Sequence, residues 1–317
     1  DRFRPPLLHL MADKTENPQM TIEGMHQDLA DVLVRIRAER AFDVESWIER
    51  KCEMLNDYMR DCGLTAIAMN LSGGVDSAVT YALAAKAKNM PNSPIKRMIG
   101  IAQPIHSTAK IQNRAYELEI FGPVVTIDQT AVFDQLLPLC DAAVGIDGAR
   151  FAGGQLRSYM RTPTVYYAAQ LLSQAGTPAI VLGTGNLDED GFLCYFCKAG
   201  DGVADVQLLA DLHKSEVFAV GHALAVPESI LIAPPSADLW DGQTDEDEIG
   251  YSYDAVELYT ALRAKDPRTT RDDYLAKVSP DAQAEYEAIG TRLEAIHHRN
   301  SHKANFPKNL NILTLSK

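Results

Sequence analysis

The chain of 317 residues is 46% hydrophobic and 23% charged, enough apolar material for one large domain with a core, or a domain with appendages. No apolar run reaches the roughly eighteen residues a membrane-spanning helix needs, which argues against a membrane partner. Thirty basic against forty-three acidic side chains give a net charge of -13, which repels a phosphate backbone and disfavours nucleic acid as the main partner.

Residues 1–25 are Pro-rich and polar without periodicity and are expected to form a flexible arm, ahead of one domain over 26–317. Asp1-Arg-Phe-Arg-Pro-Pro lacks the apolar core of a signal peptide, so a cytoplasmic protein is expected. Apolar positions from Val44 to Met59 recur at helical spacing and predict an amphipathic helix. Leu64 to Leu71 is an apolar run ending at glycines, the pattern of a buried parallel strand. Further strands are predicted at 98–102, 124–127 and 179–183, with helices over 76–87, 109–121, 131–143 and 155–174 between them. This alternation predicts an α/β fold with a doubly wound parallel sheet. Beyond Gly183 come a long Gly- and Asp-rich loop (184–205), a helix over 213–225, and an acidic loop over 233–250. A helical tail over 252–298 closes with a polar, basic turn at 300–303.

Residues 70–77 read Asn-Leu-Ser-Gly-Gly-Val-Asp-Ser, at a strand end and opening a helix. Gly73 and Gly74 let backbone N–H groups approach an anion, and the following helix turns its positive end toward it. Ser72 and Ser77 can add hydroxyl donors. Asp76 would meet a phosphate only through a cation, and Mg²⁺ is expected between them. The plain alternative is a tight turn with glycines for packing. No Walker sequence is present.

The hexapeptide from Ser72 to Ser77 resembles the PP-loop of enzymes that cleave ATP between its α and β phosphates. The run Gly-Thr-Gly-Asn-Leu-Asp-Glu over 183–189, Tyr-Phe-Cys-Lys-Ala-Gly-Asp-Gly over 195–202, Asp-Leu-His-Lys-Ser-Glu over 211–216, Pro-Pro-Ser-Ala-Asp-Leu over 234–239 and Asp-Glu-Asp-Glu-Ile-Gly-Tyr-Ser-Tyr-Asp over 245–254 is similar, in order, to NAD synthetases. The closing Asn-Ser-His-Lys over 300–303 fits the same family. The resemblance implies the adenine nucleotide alpha hydrolase-like fold with helical additions at both ends. It also implies a homodimer, to which the helix from Val44 would contribute. The implied substrates are ATP, nicotinic acid adenine dinucleotide and ammonia, with Mg²⁺ as cofactor.

On that resemblance Asn70, Leu71, Ser72, Gly73, Gly74, Val75, Asp76 and Ser77 would hold ATP, with Thr184, Lys214 and Ser236. Asp76 and Glu189 would bind the metal. Tyr195, Lys198 and Asp201 would line the nicotinate end of the acceptor, and Glu248, His302 and Lys303 would complete that site from the partner or the tail. Lys214 would sit at the α-phosphate, and Asp201 would act as general base for ammonia. The plain alternatives are a solvated Lys214, an exposed His302 and a solvated acidic run around Glu248. Cys194-x-x-Cys197 has a metal or redox spacing but no second pair. The other thiols, Cys52, Cys62 and Cys140, read as reduced.

The chain also departs from the family pattern. The loop between Glu189 and Tyr195 is one residue longer, Tyr159 replaces an acceptor-binding arginine with Arg157 or Arg161 as substitutes, and Gln103 stands where bacterial forms often carry an arginine. Fewer than eighty residues precede the phosphate loop, too few for the amidase domain of glutamine-using relatives, so free ammonia, or ammonia from a separate glutaminase protein, is the expected nitrogen source. Another PP-loop synthetase, a tRNA thiolase and a nucleotide-binding subunit without activity are the alternatives.

Overall fold

The structure is a computed structural model and describes residues 22, 24–236, 242, 244–263 and 271–304. The arm expected over 1–25 lies almost entirely outside the described residues. Helices α1 (Gln27–Arg40) and α2 (Val44–Asp61) lead into β1 (Ala66–Asn70) and α3 (Val75–Asn89). Then follow β2 (Arg97–Ala102), α4 (Ala109–Glu117), β3 (Val124–Thr126), α5 (Thr130–Val144), α6 (Arg150–Gln174) and β4 (Ala179–Gly183). A π-helical turn (Leu187–Leu193), β5 (Val206–Gln207), α7 (Lys214–Ala223) and α8 (Glu228–Leu231) come next. The last elements are α9 (Asp245–Ile249), α10 (Tyr253–Arg263), α11 (Arg271–Leu275), α12 (Pro280–Asn300) and a 3₁₀ turn (Ser301–Lys303).

The sheet runs β3-β2-β1-β4-β5 with every pairing parallel. The chain steps outward from β1 through β2 to β3, then crosses to β4 and β5 on the other side. The topology therefore switches between β1 and β4, and the crevice beyond their carboxyl ends is where such sheets bind ligands. On one face α2, α3 and α7 bury Ile48, Leu55, Val79 and Val217 against Ile67 and Met69. On the other, α6 packs Val165, Ala169 and Leu172 on Ala66, Ala68 and Val181.

Several expectations needed correction. Helix α1 precedes the expected first helix; its Leu29, Val32, Leu33 and Ile36 bury with α10 and α12 in a second core. Helix α6 begins at Arg150, five residues earlier than its periodicity suggested, because Gly153 and Gly154 interrupt the apolar pattern. The tail is not one helix: Ser279 caps α12 by accepting from the Ala282 N–H, with Pro280 in the first turn.

Ion pairs join α1 to α10 within the second core and to α7 of the first. Arg37 donates to Glu257 at 2.9 Å and to Asp254 at 2.6 Å. Arg40 pairs with Glu216, inside the first turn of α7. The helix that begins at Lys214 is thus held from both cores.

Candidate active site

At the end of β1 the chain turns through Ser72–Gly74 into α3. Gly73 has φ +77°, and a Cβ there would stand 2.8 Å from the carbonyl oxygen of Ile111. Only glycine fits both conditions. The Ser72 hydroxyl accepts from the Gly74 N–H at 3.2 Å and lies 3.1 Å from the Ser77 hydroxyl. Gly74 caps α3 without a side chain, which leaves first-turn N–H groups pointing out of the sheet edge toward an anion.

One cavity gathers most of the residues singled out from the sequence. Asn70, Leu71, Ser72, Gly74, Val75, Asp76 and Ser77 form its floor, and Thr184, Glu189 and Tyr195 one wall. Asp201, Lys214 and Ser236 line it too. Gly73 turns away toward α4. The solvated alternative for Lys214 does not hold, since the residue is 3% exposed.

Lys214 Nζ lies 2.6 Å from Asp76 and 2.7 Å from Glu189. Its ammonium also sits 4.9 Å from the centre of the Tyr253 ring. Burial opposes the charge, but Asp76, Glu189 and Asp245 outweigh it and raise the lysine pKa. Burial raises Glu189 as well, with Lys214 opposing and Asp76 adding to the rise. The Tyr253 hydroxyl hydrogen-bonds Glu189 and reaches Asp245 at 3.2 Å.

Asp245 and Tyr253 were not singled out from the sequence. The acidic run containing Asp245 reads as solvated, yet Asp245 is 6% exposed and lines the cavity. Its Oδ1 is buried with no hydrogen-bond partner among the described residues. Burial and the neighbouring Glu189 push its pKa up to about 7. The legible signal was Thr244, a helix cap before four acidic residues: its hydroxyl accepts from the Asp247 N–H and winds the run into α9.

The long loop after β4 carries its own scaffold. Asn186 accepts from the N–H groups of Asp188 and Glu189 and donates to Asp76 at 3.0 Å. Asp188, fully buried, accepts from His213 Nδ1 and from the Lys214 N–H, both at 2.8 Å. The π-helical winding of 187–193 takes up more chain per turn than an α-helix does, between Asn186 and the 194–198 loop.

Opposite, Gln103 donates to Asn70 at 2.5 Å and to the Arg161 carbonyl at 3.1 Å. Arg161 lines the cavity, whereas Arg157 lies over the Phe133 ring at 5.3 Å. Of the two arginines expected as substitutes, Arg161 is the one that lines the cavity. Tyr159 is partly exposed and hydrogen-bonds Gln155. Asp201 accepts from Ser158 at 3.3 Å and from the Cys197 N–H at 2.9 Å. Asp201 is itself exposed at the cavity, and desolvation by the surrounding protein raises its pKa only against these hydrogen bonds and Arg161, which lower it.

Lys198, Glu248, His302 and Lys303 fall outside this cavity. Lys198 donates to the His302 carbonyl at 3.2 Å. Lys303 donates to the carbonyls of Cys194 and Phe196 at 2.9 and 2.7 Å. Glu248 accepts from the Tyr195 hydroxyl. The lysine contacts strap the tail turn onto the 194–198 loop, and Glu248 ties α9 to the same loop. Cys194 and Cys197 are buried, and burial raises both thiols, Cys197 to about 11. A neutral thiol is a poor ligand and nucleophile. No group of three or more potential ligands stands at metal-binding distance among the described residues.

The description of the family whose model matches residues 47–307 is NAD synthase. This chain belongs to the NAD synthase family. Its relatives include the NH₃-dependent NAD⁺ synthetase of Methanococcoides burtonii, 34% identical over 65% of this chain and 74% of that protein. The NH₃-dependent NAD⁺ synthetase of Thermococcus kodakarensis is 31% identical over 84% of this chain and 98% of its own length. Among solved structures, the NMN synthetase of Francisella tularensis superposes with a TM-score of 0.67 and 28% identity, covering 86% of this chain and all of that one. The parallel sheet, with the Ser72–Gly74 turn at its switch point, is the doubly wound α/β fold expected from the sequence.

Proposed function

We propose that this chain is an ammonia-dependent NAD synthetase, joining ammonia to nicotinic acid adenine dinucleotide at the expense of ATP, with AMP and pyrophosphate as by-products. The observation that carries this reading is the buried Lys214, held by Asp76 and Glu189 beside the Ser72–Gly74 loop. The order of motifs shared with the NAD synthase family supports it. A nicotinate carboxylate is a poor electrophile. Its oxygen attacks the ATP α-phosphorus, the bond to pyrophosphate breaks, and the mixed anhydride provides AMP as a leaving group. Ammonia then attacks the acyl carbon, and the C–O bond to AMP breaks.

The residues divide this work by position. The first-turn N–H groups of α3 and the Ser72 and Ser77 hydroxyls seat the phosphates, and Thr184 and Ser236 orient the nucleotide from the opposite rim. Lys214 stabilises charge on the α-phosphate during attack. Asp201, with its raised pKa at the cavity wall, accepts a proton from the ammonium ion or from the attacking nitrogen.

Asp76 and Glu189 fit a magnesium ion, which takes one or two carboxylates together with substrate phosphates. The unpartnered Oδ1 of Asp245 adds to the negative charge available there. When bound, the metal would neutralise the triphosphate and sharpen its leaving group. With the metal held there, Lys214 would be free to turn from the carboxylates to the phosphate.

A homodimer is part of this reading. Helix α5 buries only Phe133, while Val132, Leu139, Val144, Ile146, Phe151 and Tyr167 on α5, α6 and their connection are exposed. Monomers rarely leave so large an apolar face uncovered. Helix α2 packs most of its apolar face on α3 and α7 within the chain and leaves Met54 and Tyr58 exposed. The same α6 supplies Ser158 and Arg161 to the cavity, so a partner on this face would close the acceptor end, and Glu248, Lys198, His302 and Lys303 would act from that closed state. Leu139→Glu combined with Phe151→Glu is expected to shift the sedimentation coefficient from dimer to monomer and to raise the acceptor KM. An unchanged coefficient would place the interface elsewhere. A cytoplasmic location suits the chemistry, and no described helix is long and apolar enough to cross a membrane.

A second reading takes nicotinic acid mononucleotide as the acceptor. It rests on the 28% identity to the NMN synthetase of F. tularensis and on Tyr159 at a position where the family pattern has an arginine. A coupled assay with ATP, Mg²⁺, ammonium and each acceptor in turn separates the two. NAD and AMP in equal amounts from the dinucleotide, with a lower kcat/KM for the mononucleotide, is the expected result. The reverse ratio would transfer the reading to the mononucleotide, and no AMP with either acceptor would remove both.

A further inference from the structure

Three cationic side chains line the cavity among the described residues: Arg114, Arg161 and Lys214. Lys214 is neutralised by Asp76 and Glu189. Arg161 donates to the Gln103 carbonyl at 3.3 Å and acts on the Asp201 carboxylate. Both therefore serve the acceptor and α-phosphate side. Arg114 stands apart from them. It comes from the last turn of α4, and a Cβ built on Gly73 would lie 3.3 Å from its own Cβ, so it flanks the phosphate loop directly.

No carboxylate among the described residues pairs with Arg114. Its Nε is shut off from water and has no hydrogen-bond partner there. Arg114 thus lines the cavity as a cation whose buried N–H has no acceptor and whose charge has no partner among the described residues, an arrangement an anionic ligand in the cavity would relieve. The Ser72–Gly74 loop offers only neutral donors, yet the β- and γ-phosphates it would seat carry most of the charge of ATP. A guanidinium is the side chain best shaped to take two phosphate oxygens at once.

We propose that Arg114 is the pyrophosphate-binding residue of this enzyme, gripping the β- and γ-phosphates of ATP across the loop from Lys214. The inference rests on the functional reading above and assigns a partner to its leaving group. As the acceptor oxygen bonds to the α-phosphorus, the bridging P–O bond breaks and its electron pair leaves on the β-phosphate oxygen. Charge therefore grows on the group Arg114 faces, and the contact is stronger in the transition state than in bound ATP. The same contact holds pyrophosphate after cleavage.

Calorimetric titration of pyrophosphate and of AMP, each with Mg²⁺, into the full chain tests this without any acceptor. Arg114→Gln is expected to weaken pyrophosphate about tenfold or more, the loss typical of a charge-assisted hydrogen bond. AMP should stay within about twofold, and Arg114→Lys should recover much of the loss by restoring the charge. Thermal melts of both variants establish that they fold. Pyrophosphate binding equal to wild type in a folded Arg114→Gln overturns the assignment, and so does an equal loss for AMP. A wild-type chain that binds neither ligand overturns the functional reading itself, and the assignment falls with it.

Discussion

Replacing Lys214 by methionine is expected to lower the rate of AMP formation by about 10²–10³-fold, the cost of removing one preorganised donor from developing charge. Methionine keeps the length of the side chain and much of its packing, so the loss reports the ammonium. The same change leaves Asp76, Glu189 and Asp245 without the cation they share. Breaking a buried pair from one side typically costs about 3–5 kcal/mol. Here the lower end applies, because Asp76 and Glu189 are 18% and 16% exposed along their side chains and can draw water from the cavity.

The sign of the pH dependence follows from the direction of the shifts. Glu189 is raised, and Asp245 is raised to about 7, even with Lys214 present. Without the lysine both rise further, so the native state binds more protons than the unfolded chain above the ordinary carboxylate range. Stability of Lys214→Met should therefore fall as pH rises from about 5 to 8, more steeply than in wild type. Added Mg²⁺ should restore the variant more than it stabilises wild type, since the lysine no longer competes for Asp76 and Glu189. Melting curves across pH, with and without Mg²⁺, read all of this. A variant with wild-type rate and a flat pH profile would show that the lysine is only packed there.

What the sequence made legible follows from how local each signal is. The run from Leu64 to Leu71 before two glycines identifies β1, the phosphate loop and the start of α3, because burial, loop and helix are contiguous in the chain. Lys214, Glu189 and Asp76 were reachable only through motif order, since 138 positions separate the lysine from Asp76 and 25 separate it from Glu189. Asp245 was hidden because an acidic run normally means solvent. Its burial comes from α9 folding back beneath Tyr253, a tertiary fact with no local period. Arg114 was hidden for a related reason: a lone arginine on an amphipathic helix looks solvated until Gly73 is seen against it. The helix from Val44 illustrates a different case. Much of its apolar face packs on α3 and α7 within the chain, with Met54 and Tyr58 left exposed, while a larger exposed apolar set lies on α5 and α6.

Gly73→Ala is expected to be the most damaging single-methyl change in the loop, and Gly74→Ala its natural contrast. At φ +77° an alanine pays the left-handed penalty of about 1–2 kcal/mol. Its Cβ would also stand 2.8 Å from the Ile111 carbonyl oxygen and 3.3 Å from Arg114 Cβ. Backbone cannot rotate away as a side-chain tip can, so α4 must shift outward, at about 1–3 kcal/mol for overpacking. Gly74 has φ -90°, open to any residue, and its notional Cβ meets only the Ser72 hydroxyl, at 3.3 Å. The functional consequence follows the same geometry. Moving α4 carries Arg114 and the loop N–H groups away from the phosphates together, and a misplacement on the order of 1 Å costs about 10² in rate. Gly73→Ala should thus lose both stability and ATP affinity, whereas Gly74→Ala should keep its melting temperature and lose less of the affinity. Thermal melts paired with ATP titrations of the two variants decide it: equal losses would mean that the close approach of α4 to Gly73 does not set the loop.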